Sequence, residues 1–218
     1  MCMGANEGRW SIGVVTDSLN VWSGYKAEAQ REFLNFVNRL RNEKDLTLDQ
    51  VKLTKDFNQA HSIHSTIYDK TLSYYFREEF QKHTLVSPIM YEIVKRGNQI
   101  SPDQYQLALK EQSRLSILLD QELKKNDVVI TLSTAGSAPL FGADDVPDSC
   151  LIWTLCGIPA LNIPLFRDSK GLPYGLQVFS RRYTDKRLLR FARRLETLAG
   201  DQLKLLPPEW KQKAPSPV

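Results

Sequence analysis

Cysteine is scarce in this 218-residue chain. Cys2, Cys150 and Cys156 are too few and too scattered for a disulfide framework, and a reducing, cytoplasmic home is the simplest reading. No apolar run approaches the length that spans a bilayer. The first residues, Met1 to Glu7, lack the basic stretch followed by an apolar one that marks a secretory leader. Histidine is equally sparse. His61 and His64 share a helical spacing, with Asp69 in reach along the chain and His83 far off, so no metal-ligand pattern is completed. Neither Gly-Gly nor Ser-Ser occurs anywhere. Gly136-Ser137 lacks the second glycine of a Gly-x-Ser-x-Gly nucleophile elbow, because Pro139 stands in its place. The net charge is only +4, which permits acidic partners without demanding nucleic acid.

What is present reads as an α/β protein. Trp10 to Thr16 has the β-branched character of a strand, and Val51 to Leu53 is a second, shorter candidate. Phe33, Phe36, Val37 and Leu40 recur at helical spacing. Asp56 to His83 carries neither Gly nor Pro and is expected to be mostly helical. Pro88 opens another helix, which Gly97 is expected to close. Ser101, Pro102 and Gln104 form a capping box at the head of a long helix with a stripe through Tyr105, Ala108, Leu109, Leu115, Leu119 and Leu123.

Val128 to Ile130 follows as a strand covered on both faces. Ala160 to Pro164 and Tyr174 to Phe179 are two more strands. Thr184 caps a last helix that turns Leu188, Leu189, Ala192, Leu195 and Leu198 inward and ends at Gly200. Residues 1–9 read as an extension, 10–205 as one domain and 206–218 as a Pro-rich tail. Strands alternating with helices imply a mixed sheet flanked by helices. Arg181, Arg182, Lys186, Arg187, Arg190, Arg193 and Arg194 cluster around the last helix. With no aromatic ladder beside them, they read as a solvated face rather than a nucleic-acid surface.

One ordered set of motifs is more specific. Asp127 opens a strand that runs out to Ala138-Pro139. Trp153-Thr154, Gly157 and Pro159-Ala160 follow, then Pro164, Gly171 to Pro173 and Gly175 to Gln177, and finally Asp185 with Leu188-Leu189. In this order the chain resembles the C-terminal half of an amidase-signature enzyme. The resemblance implies the fold of that half and a lineage acting on carbon–nitrogen amide bonds. It implies no cofactor and no metal.

The chemistry implied by the family runs through a Lys, a bridging Ser and a nucleophilic Ser, which forms an acyl-enzyme that water hydrolyses. A Gly-Gly-Ser-Ser-Gly-rich loop holds the oxyanion there. No such loop occurs in these residues, so no catalytic residue is transferred and the chain alone is expected to be inactive. Thr134, Ser137, Trp153 and Thr154 are the candidate substrate-pocket residues. The expected partner is a chain carrying the N-terminal amidase half, with self-association through exposed apolar surface as the alternative. A small-molecule amide would bind only the completed enzyme. A non-catalytic interaction module derived from the amidase scaffold is the second functional reading. Neither reading involves a membrane.

Overall fold

The computed structural model describes residues 9–16, 20–143 and 146–200. The expected extension and Pro-rich tail, together with Cys2, therefore fall almost wholly outside the described residues.

Five strands form one sheet. These are β1 (Trp10–Val14), β2 (Leu46–Gln50), β3 (Val128–Leu132), β4 (Ala160–Arg167) and β5 (Pro173–Phe179), in the order β2-β1-β3-β5-β4. β1 runs parallel to both β2 and β3, while β5 is antiparallel to β3 and β4. The sheet is therefore mixed, as its sequence pattern implied. The helices are α1 (Ala27–Leu40), α2 (Ala60–Tyr75), α3 (Arg77–Gln81), α4 (Pro88–Gln99), α5 (Pro102–Glu122), α6 (Cys150–Cys156) and α7 (Asp185–Ala199).

Alternation along β3 explains the layering. Val128, Ile130 and Leu132 join a core with α1 and α7, where Phe33, Phe36, Leu188 and Phe191 are buried. Val129 points the other way, into a second core with Phe57, Leu115, Leu119 and Trp153 from the α2, α5 and α6 side. All five residues of β3 are buried because both faces are covered.

The capping box forms as the sequence implies. The Ser101 hydroxyl accepts from the Gln104 N–H at 3.2 Å, and the Gln104 carboxamide accepts from the Ser101 N–H at 2.9 Å. Thr184 also precedes its helix, but its hydroxyl donates to the Arg181 carbonyl and makes no cap bond.

Four further local expectations are corrected. The second strand occupies Leu46–Gln50, and Val51 and Leu53 are buried just beyond it, where the chain turns under α5. Pro164 lies inside β4 rather than at its end. The register shift between Ile163 and Phe166 lets an edge strand carry a residue that cannot donate to the ladder. Gly97 sits inside α4 and does not stop it, because it is the contact point with α2. A Cβ there would lie 1.9 Å from the Asp69 carbonyl oxygen. Leu189 is exposed, and Phe191 takes the inward place on α7.

No described helix is long and apolar enough to cross a membrane.

Candidate functional site: a cavity between the end of β3 and the head of α1

A cavity of about 490 Å³ opens at the C-terminal end of β3. The loop from Ser133 to Pro139 forms one wall, Lys26 a second, and Asn162, Tyr174 and Gly175 of the β4–β5 pair a third. Asp148 and Val146 complete the rim. The floor exists because residue 175 has no side chain. A Cβ there would come 1.7 Å from Asn162 Oδ1 and 2.7 Å from Ser133 Oγ. Ser133 ties the loop to that floor through N–H and hydroxyl bonds to the Gly175 carbonyl, at 3.0 and 2.9 Å.

Lys26 precedes α1 and is bonded twice to the loop. Its main-chain N–H donates to the Ala135 carbonyl at 2.8 Å. Its ammonium donates to Ser137 Oγ at 3.0 Å and to the Ser137 carbonyl at 3.2 Å. Ser137 in turn donates its hydroxyl proton to Asp168 Oδ2 at 2.6 Å. The Ser137 bond, more than any other contact, holds the Asp168 carboxyl below its ordinary range, with the Lys26 charge a lesser contribution. Gly136 turns the loop at φ +151°, and a Cβ there would stand 2.7 Å from the Lys26 stem.

The sequence candidates separate into two pairs. Thr134 and Ser137 line the cavity, and Thr134 braces the loop by donating to the Gly136 carbonyl at 2.8 Å. Trp153 is 1% exposed and stacks on Phe179 with ring centroids 3.9 Å apart, inside the second core. Thr154 lies on the exposed side of α6 and donates back to the Cys150 carbonyl. Neither Trp153 nor Thr154 is among the cavity-lining residues. Lys26, Asn162 and Tyr174 were not anticipated. Lys26 is more than a hundred residues from the loop it braces, and no spacing rule reaches that far.

Cys150 stands behind the loop, its Sγ 2.7 Å from the Ser133 carbonyl and 2.8 Å from Gln177 Oε1. Burial pushes this thiol up to about 12, with the nearby Asp148 adding to the shift. Cys156 is buried and is pushed up to about 11 by the same desolvation. Both are far from the thiolate form that nucleophilic or metal-binding cysteines need. The start of α6 is fixed by Tyr25, whose phenol oxygen accepts from the Ser149 N–H at 2.9 Å.

The histidines do not converge on a ligand. The His61 ring nitrogen lies 2.9 Å from the Asp148 carbonyl, while His64 stacks on Tyr68. No group of three metal-ligating side chains occurs among the described residues. The arginines around α7 are largely spent on attachment. Arg181 pairs with Asp120, Arg187 with Asp127, and Arg194 with Asp45 and Glu43. Arg182 donates twice to the Cys156 carbonyl.

Comparisons with known proteins agree on one family. The family model described as Amidase matches residues 4–189. A fatty acid amide hydrolase of Medicago truncatula is 34% identical over 91 residues, covering 36% of this chain and 15% of that protein. A glutamyl-tRNA(Gln) amidotransferase component of Brachyspira hyodysenteriae is 26% identical over 113 residues, covering 48% of this chain and 23% of its own length. Among solved structures, one described as an amidase superposes with a TM-score of 0.78 at 19% identity, covering 88% of this chain and 46% of that one. A 6-aminohexanoate cyclic dimer hydrolase superposes at 0.68, again covering 46% of the solved chain. The matched region thus spans under a quarter of these two curated relatives and just under half of these solved chains.

Proposed function

The chain belongs to the amidase family, and from that premise we propose that it supplies the C-terminal part of a hydrolase of carbon–nitrogen amide bonds. In this reading the cavity beside Lys26 is one wall of the substrate pocket. The nucleophilic Ser, the bridging Ser and the Lys come from outside these residues.

The observation that carries the reading is the cavity itself. It lies at the end of a central strand, on a loop held in a non-random shape by Lys26, Ser133 and Thr134. A wall fixed in this way suits substrate positioning. It does not suit attack. Ser137 gives its proton to a carboxylate already stabilised in its charged form, and its oxygen accepts from an ammonium. A carboxylate held below its ordinary range is a weak base toward that hydroxyl, and the ammonium draws on the same oxygen's lone pair.

The partner in this reading is a chain bearing a Gly-Gly-Ser-Ser segment, joined along the open edge of β4. Among the described residues β4 is an outer strand of the sheet, as β2 is on the other side. An unpaired strand edge is a template for another chain. Leu140 and Phe141 stand fully out into solvent beside the cavity mouth and would be covered by the same partner. A reducing, cytoplasmic compartment suits two cysteines that are both unpaired.

The test is reconstitution. The full chain, alone and mixed with a polypeptide carrying the Ser-Ser-Lys segment, is incubated with simple aryl and aliphatic amides. Turnover is expected only in the mixture. A stoichiometric acyl adduct on a serine of this chain by itself would refute the assignment. Failure to associate with any such polypeptide would favour an interaction module on an amidase scaffold.

A further inference from the structure

Several donors around the cavity lack an acceptor among the described residues. The Lys26 ammonium has three N–H bonds. Two go to Ser137, and the third meets no acceptor among the described residues. The main-chain N–H groups of Thr134, Ala135, Gly136, Ser137 and Ala138 likewise donate to no acceptor among the described residues. Gly136 and Ser137 are nevertheless buried. The Asn162 carboxamide on the facing wall makes no hydrogen bond among the described residues.

Two described carboxylates beside the loop are already hydrogen-bonded, while Glu28 and Glu32 lie near enough to Tyr174 to act on its phenol. Asp168 accepts from Ser137 through Oδ2 and from the N–H groups of Lys170 and Leu172 through Oδ1. Asp148 accepts from the Cys150 N–H. Unpaired buried donors are costly, and a run of main-chain N–H groups beside an ammonium is a setting that favours an oxyanion.

From this geometry we infer that the cavity is a subsite for a single carboxylate group, seated between the Lys26 ammonium and the Gly136–Ser137 main chain. Its use as a substrate subsite rests on the amide-hydrolase reading above, but its occupancy does not. The subsite would select amide substrates, or product acids, that carry a free carboxylate away from the scissile bond. Asp168 acts at one remove. It fixes the Ser137 hydroxyl, and Ser137 fixes the lysine.

The experiment is a binding titration without turnover. Amide ¹⁵N–¹H spectra of the full chain are recorded with sodium acetate, acetamide or methylammonium chloride added at equal ionic strength. Acetate is expected to shift the Gly136 and Ser137 resonances saturably, and the two neutral or cationic probes are not. In Lys26→Met the acetate affinity should fall at least about tenfold, the scale of one lost charge-assisted contact. In Lys26→Arg it should be largely retained. Absence of a saturable acetate response overturns the inference. So does an equal response to acetamide or methylammonium, or an unchanged affinity in Lys26→Met. If acetate binds while the reconstituted mixture shows no amidase activity, the subsite stands and the functional reading falls.

Discussion

Asp69 and Asp168 each answer to a long cationic side chain, in two differently built settings. Asp69 lies where α2 meets α4, its side chain 6% exposed, and Arg96 reaches it directly with two hydrogen bonds of 2.8 and 3.3 Å. Beside that pair Gly97 brings the helices into contact, so closely that no Cβ fits. Asp168 lies on the turn between β4 and β5, and Ser137 stands between it and Lys26. The first arrangement grips its carboxylate directly with two prongs of a fork-shaped cation. The second leaves one ammonium N–H unspent and borders a cavity. The contrast separates a pair that holds the fold from a chain of contacts that shapes a site.

The comparison breaks most visibly at Gly97. Gly97→Ala forces α4 away from the Asp69 carbonyl and should lower stability by about 3 kcal/mol, the scale of overpacking a tight contact. Urea unfolding measures this, and a loss below the error of the method would mean that the helices are not in contact there. Asp69→Ala comes next. It removes both bonds to a guanidinium that is itself half exposed and can rehydrate, so a cost of about 2 kcal/mol is expected in the same assay. Gly136→Ala should cost about 1 kcal/mol through its backbone conformation and the Lys26 stem behind it. It should also weaken acetate binding, which the Asp69 and Gly97 substitutions leave alone.

Ser137→Ala sharpens the contrast through pH rather than stability. The Ser137 bond is the main reason the Asp168 carboxyl lies below its ordinary value. The stabilisation from that bond is present above the unfolded-state carboxylate range and is lost as the pH falls through the lower folded value. Removing the hydroxyl should move the Asp168 titration back up toward that of an ordinary aspartate, read by ¹³C carboxyl shifts. An unmoved titration would show that the turn N–H groups alone hold the charge. Smallest is Lys26→Met, which should change the melting temperature little, because an exposed ammonium adds little to stability. Its effect belongs to acetate binding.

Much of the scaffold was legible in the chain. The capping box at Ser101 and the doubly covered run at Val128 to Ile130 depend on neighbours within a few residues, and local chemistry reports them faithfully. Misreadings arose where a residue's role is set by a distant neighbour. Gly97 looks like a helix stop until Asp69 is placed against it, and Pro164 looks like a strand end until the register of β4 on β5 is known. The Trp153 ring stacks on Phe179, a contact that its motif neighbours do not report.

The ordered Gly, Pro and Trp-Thr motifs were enough to reach the family. Local pattern found most of the helices and strands, because that choice is made over a few residues of backbone, but it misplaced β2. Only the folded chain joined Lys26 to Ser137 and Asp168, residues 111 and 31 positions apart across those two bonds. A hydrogen bond of 3 Å carries no trace in sequence separation, so the shape and the unspent donors of the cavity had to come from the tertiary structure.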